Sequence, residues 1–169
     1  MQRLSSMLII LAASIAVPSQ ATEPPATTVF ASLKTLVGDW RSTDPANATR
    51  VSYTLVANGS SIVESWTMSP TRTSMTVYTM DGERLLATHY CPQGNAPRMQ
   101  LTGTDNSDAH QFLFVDGANL QDPEGHHEHA FWIRVDPAGT VTRSETYIRN
   151  DATYDPAKDT GSPESFRRL

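Results

Sequence analysis

The sequence predicts an all-β protein: an antiparallel up-and-down barrel of about eight to ten strands, preceded by one short helix. Two observations carry this. From Arg50 onward, short runs rich in Val, Thr, Tyr and Ile alternate with period two, as strands with one buried face do. Between the runs stand Asn58-Gly59, Asp81-Gly82 and Pro137-Ala138-Gly139, the residues that tight hairpin turns require.

In chain order, the first segment is "MQRLSSMLIILAASIAVPSQATEPP". A basic Arg3, an apolar run from Met7 to Val17 and a small-x-small site at Ser19, Gln20 and Ala21 read as a secretory signal peptide over residues 1–21. The apolar run is too short to span a hydrocarbon core of about 30 Å, so no membrane span is expected. Residues 22–29 read as a linker and 30–169 as a single barrel domain. Export to the periplasm or the medium follows as an expectation.

In "TVFASLKTLVGDW", Phe30, Leu33, Leu36 and Val37 recur at helical spacing, and Gly38 ends the run as a C-cap glycine does. A single short helix leading into a meander is expected to plug one end of a barrel. The strands follow as Arg50–Val56, Ser61–Met68, Ser74–Met80, Arg84–Cys91, Pro97–Leu101, Gln111–Val115, Glu128–Val135 and Thr140–Ile148. Residues 150–164 are rich in Asp, Pro and Gly and read as a loop, after which "ESFRRL" can return as a closing strand.

Composition narrows the partners. The net charge is −5, one unit more negative without Arg3, and Lys34 and Lys158 are the only lysines. Nucleic acid and anionic membrane surfaces are therefore poor partners. The lone cysteine, Cys91, cannot form an internal disulfide. No nucleophile elbow, phosphate loop, dinucleotide fingerprint or H-E-x-x-H helix is present.

"Gly38-Asp39-Trp40", opening the first strand after a short helix, resembles the G-x-W signature of the calycin superfamily, which includes lipocalins and fatty-acid-binding proteins. More narrowly, "LVGDW", "THYCPQGNAPRM" and the paired histidines resemble an uncharacterised family of secreted bacterial small β-barrel proteins, over roughly Leu33 to Ile148. The resemblance implies a barrel with an interior ligand cavity. It also implies an arginine near the end of the barrel packed over the signature Trp, a part that falls to Arg143 or Arg149.

Strand alternation assigns the candidate site, because residues two apart face the same way. In the strand after "GHHEH", His127, His129, Phe131, Ile133 and Val135 share the more apolar face, predicted to point inward, while Glu128 points out. His89 shares a face with Leu85, Ala87 and Cys91. Glu64 and Trp66 share one apolar face, and Arg143, Glu145 and Tyr147 share another. A carboxylate inside a barrel is costly unless paired, so Arg143 or Arg98 is expected to pair with Glu145 or Glu64. The candidate ligand-binding set is therefore Glu64, Trp66, His89, Tyr90, Asn95, Arg98, His127, His129 and Glu145.

His-x-His on a strand separates two imidazoles by roughly 7 Å, a spacing compatible with shared ligation of zinc or another divalent metal. A third ligand from His89, Cys91, Glu64 or Glu145 would complete an open site. The alternative is a polar turn followed by barrel-mouth histidines bonded to their neighbours. Cys91 beside His89 reads either as an activated thiol or as a buried, inert one. The leading expectation is a barrel binding a small, partly apolar molecule without a cofactor. The competitors are a metal-dependent hydrolase or redox enzyme on His127 and His129, and an interaction or stress-response module with a filled barrel. The ligand and the oligomeric state are left open.

Overall fold

A computed structural model of the chain describes residues 24–169; the signal-peptide reading falls on residues outside that range. Helix α1 (Ala26–Lys34) precedes ten strands: β1 (Gly38–Ser42), β2 (Arg50–Val56), β3 (Ser61–Ser69), β4 (Arg72–Asp81), β5 (Arg84–Tyr90), β6 (Ala96–Thr104), β7 (His110–Ala118), β8 (His126–Val135), β9 (Thr140–Arg149) and β10 (Glu164–Arg168). Each strand pairs antiparallel with its neighbour in sequence, and β10 pairs with both β9 and β1. The result is a closed barrel, which leaves no strand edge unpaired.

The strands form where period-two runs predict them, although β6 and β7 extend well past Pro97–Leu101 and Gln111–Val115. The segment read as a loop contains one helical turn, α2 (Pro156–Asp159). Asp155 caps it by accepting a bond from the Ala157 backbone N–H at 3.0 Å, and Pro156 stands in its first turn, where its missing N–H costs nothing.

The interior is divided along the barrel axis. α1 buries Val29, Phe30 and Leu33 and packs against β4 and β5, joining a core that includes Ile62, Leu85, Phe112 and Ile133. Each such aliphatic or aromatic side chain contributes about 1.5–3 kcal/mol by leaving water. This apolar half closes one end. The opposite end carries the β3–β4 and β5–β6 turns and stays open.

The Gly38-Asp39-Trp40 stretch has a clear physical role. Gly38 has φ +129°, a conformation that L side chains rarely adopt, and a Cβ there would also displace the Arg168 guanidinium, whose Nη1 would lie 2.5 Å away. Trp40 Nε1 donates to the Leu36 carbonyl at 2.8 Å. The Arg168 guanidinium lies 4.5 Å from the centre of the Trp40 ring and donates to the carbonyls of Val37 and Thr35. The arginine over the tryptophan is thus Arg168, not Arg143 or Arg149. Arg143 is buried in the barrel, and Arg149 pairs on the surface with Glu124 and Asp151.

The predicted facing of β8 is corrected as well. The ladder with β9 pairs Glu128 with Tyr147 and Ala130 with Thr146, leaving His129 as an extra residue in a β-bulge. A bulge resets alternation, so Glu128 points into the barrel with Phe131 and Ile133. His127, paired with Ile148, points the opposite way.

Candidate functional site

The site begins with one buried cation. Arg143, on β9, is 2% exposed, and its guanidinium lies 3.9 Å from the centre of the Phe131 ring. Nε donates to Glu145 at 3.0 Å, Nη1 to Glu64 at 3.1 Å and to the Tyr78 hydroxyl at 2.8 Å, and Nη2 to Glu128 at 2.9 Å. Four of its five donors are thereby committed. Burial works against the charge, but Glu64, Tyr78, Glu128 and Glu145 outweigh it and hold its pKa well above the ordinary range.

Glu64, on β3, is fully buried. Besides Arg143 it accepts from the Tyr53 hydroxyl at 3.0 Å, from Trp66 Nε1 at 2.9 Å and from the Tyr78 hydroxyl. Burial, followed by the nearby Glu64 charge, raises the pKa of both tyrosines, so both remain donors. This is how a buried carboxylate is accommodated: its acceptor sites are filled.

Glu128 is less well provided for. Its Oε1 takes the Arg143 bond, but Oε2 is buried without a hydrogen-bond partner, 3.3 Å from His89 Nδ1. Burial raises the Glu128 pKa well above the carboxylate range, and the Glu145 charge adds to this. His89 is 1% exposed, and burial lowers its pKa to about 4. An acid shifted up beside a base shifted down describes two neutral groups, not an ion pair. His89 Nδ1 also meets the Thr76 hydroxyl at 3.0 Å, and its Nε2 meets the Tyr147 hydroxyl at 3.3 Å. Tyr147 in turn lies beside Cys91. Burial pushes the Cys91 thiol up, so it is not an activated thiolate at neutral pH.

Above this layer, at the open end, lies a pocket of about 450 Å³, within the range of small-molecule sites. Trp66 and Met68 form its apolar wall, Arg143, Glu145 and Tyr147 its charged and polar floor, and Arg72, Cys91 and Glu164 part of its rim. Glu145 Oε1 is held by Arg143. Glu164 accepts from Asn47, and burial raises its pKa.

The predicted residues therefore separate. Glu64, Trp66, His89 and Glu145 converge on the interior, with Arg143 as their hub. Arg98 is on the exposed outer face, paired with Asp116 at 2.8 Å, so the expected inward pairing of Arg98 does not occur. Tyr90 is 45% exposed. Asn95 is buried in the β5–β6 turn and donates to the His126 carbonyl at 2.6 Å.

His127 and His129 form a separate cluster with Phe114 and Tyr154, where β7 and β8 have stopped pairing beyond Leu113 and Ala130. The Asn150 amide donates to the carbonyls of Leu120 and Asp122, so its oxygen accepts from His127 Nδ1–H at 2.8 Å. His127 Nε2 then accepts from His129 Nδ1–H at 2.9 Å. Both nitrogens of His127 are thus committed, and His89 lies on the other side of the wall. Among the described residues, no group of three or more His, Cys, Asp or Glu side chains is arranged to hold a metal ion.

The candidate set drawn from the sequence leaves out Glu128, Thr76, Tyr53 and Tyr78, although the two tyrosines read as core and cavity lining. For the last three, alternation was the available signal: Thr76 and Tyr78 share a face of β4, and Tyr53 pairs with Glu64 across β2 and β3. Glu128 had no such signal, because the bulge inverts its face. No helix among the described residues is long and apolar enough to cross a membrane. Neither protein-family models nor curated proteins provide a match to this chain.

Proposed function

We propose that the protein is an exported, calycin-type β-barrel that binds a small, partly apolar molecule in its open end. The observation that carries this reading is the pocket of about 450 Å³ above the Arg143 cluster. It combines apolar walls with a few fixed polar groups, the combination that gives affinity from burial and orientation from hydrogen bonds. Three features favour a calycin-type barrel over an unrelated one: the helix that closes the far end, the glycine demanded at Gly38, and the Arg168 guanidinium over Trp40. The rigid ion cluster serves as a floor, and since its charges are already paired, no ligand is needed to hold the barrel together.

The test is titration with Nile red, a neutral apolar dye, followed by fluorescence and by native mass spectrometry. One dye per chain is expected. Ser74, which lines the pocket, offers a way to fill it: Ser74→Trp should weaken dye binding at least about tenfold, the effect of losing roughly 1.4 kcal/mol of contact, with thermal stability retained. Dye uptake that is absent, or unchanged in the filled variant, would defeat the reading.

A further inference from the structure

We infer that the pocket takes a small organic monocation, an amine or quaternary ammonium on an apolar body, with its charge set between Glu145 and the ring of Tyr147. This rests on the ligand-binding reading above and assigns it a chemical class. The first support is the charge inventory. With Glu128 held neutral by burial, the pocket and its floor hold three charged carboxylates, Glu64, Glu145 and Glu164, against two guanidiniums, Arg72 and Arg143. His89 is held neutral by burial, so it does not redress the balance. An excess of negative charge in a concave, partly dry site focuses a field that draws cations.

The second support is the disposition of donors. The guanidinium on the floor invites an anion, but its bonds to Glu64, Tyr78, Glu128 and Glu145 leave a single N–H uncommitted. A ligand carboxylate or phosphate could not form the two-pronged contact that makes arginine an anion receptor. Arg72 is at the exposed rim. Past that rim, an anion would face Glu145 and Glu164 with only the single free N–H of Arg143 to receive it.

The third support is the shape of what remains open. Glu145 gives one oxygen to Arg143, and its Oε2 has no partner among the hydrogen bonds of the described residues. Tyr147, two residues along the same inward face, keeps 37% of its surface exposed. A carboxylate oxygen beside an open aromatic face is how ammonium groups are recognised, by charge on one side and by the ring quadrupole on the other. The point on which Glu64, Glu128 and Glu145 converge is already filled by the Arg143 guanidinium, and among the described residues no three such groups are arranged to hold a metal ion, which favours an organic cation over a bare metal ion.

The experiment is calorimetric titration of the full chain at pH 7 with benzylamine, benzyl alcohol and benzoate, three probes of one size and different charge. Benzylamine should bind about tenfold tighter than benzyl alcohol, the gain expected from a hydrogen bond to a charged group, and benzoate weakest of all. In Glu145→Gln, benzylamine should lose its roughly tenfold advantage over benzyl alcohol. Should that variant fail to fold, the ranking in the unaltered protein still decides. Benzyl alcohol or benzoate binding as tightly as benzylamine would overturn the monocation and leave the pocket reading standing. The same holds if none of the three binds while Nile red does. Loss of Nile red binding as well would remove the pocket reading itself.

Discussion

His89 shows how a single buried side chain can set the acid limit of a fold. Enclosed by Thr76, Glu128 and Tyr147, it is neutral when folded and titrates near pH 4, whereas an unfolded histidine titrates near 6.5. A folded pKa depressed below the unfolded one gives stability that is present above pH 6.5 and lost as the pH falls toward 4. At about 1.4 kcal/mol per pKa unit, the loss is about 3 kcal/mol. Glu128 works in the other direction: its raised pKa makes the folded state gain relative stability on acidification. Comparison with a variant isolates the histidine. Between pH 7 and 4, urea unfolding should show the unaltered protein losing about 3 kcal/mol more than His89→Asn. A difference between the two that does not vary with pH would show that His89 is not buried as a neutral base.

At the scale of the element, β8 decides which charges the barrel encloses. Because His129 is the extra residue of the bulge, its deletion should join Glu128 to Ala130 in an uninterrupted ladder and keep Glu128 inside. The expected cost is the aromatic contact with Phe114 and Tyr154, about 1 kcal/mol. Deleting Ser144 from the regular part of β9 should do far worse. One missing residue exchanges the faces of everything on one side of it, forcing either Arg143 or Glu145 out of the core. Thermal unfolding of the two deletions should show a folded protein for the first and none for the second; equal outcomes would refute the assignment of the bulge. The same contrast explains what could be read in advance. Strands such as Ser61–Ser69 and Arg84–Tyr90 declare themselves by alternation and by the Asn58-Gly59 and Asp81-Gly82 turns, all of them local signals. The inward placing of Glu64, Trp66 and Glu145 was legible for the same reason, whereas the face of His89 was not, because apolarity does not separate the two faces of the Arg84–Cys91 run. The bulge was not, because it is a mismatch with a partner strand, and its correction brings Glu128 in while placing His127 on the opposite face. Arg168 over Trp40 escaped notice because it joins residues at opposite ends of the described chain.

For the whole molecule, closure depends on the longest connection between strands and the short strand it delivers. After β9, residues 150–163 cross the outer surface of the strand they have just left. Gly161 lies so close to it that a Cβ would fall 1.8 Å from the Glu145 carbonyl oxygen, while the Ser144 hydroxyl donates to the Gly161 carbonyl at 2.6 Å. This strap covers the outward-facing Ser144 and Thr146, which are buried although they point away from the core. It then delivers β10 into the gap between β9 and β1. There Phe166, 2% exposed, meets the Trp66 ring edge-on at 5.1 Å between centroids. Five residues thus complete two ladders, back the tryptophan of the pocket and place Arg168 over Trp40. Without them β1 and β9 would become free edges beside an exposed apolar interior, the arrangement that drives strand-to-strand aggregation. A chain ending at Ser162 should therefore elute from size-exclusion chromatography as oligomer or aggregate and should not bind Nile red. A synthetic peptide spanning residues 163–169, present while the shortened chain refolds, should restore both the monomer-sized species and dye binding by supplying the missing strand in trans. A shortened chain that is monomeric and binds dye without the peptide would mean that β10 merely decorates a barrel already closed by other contacts.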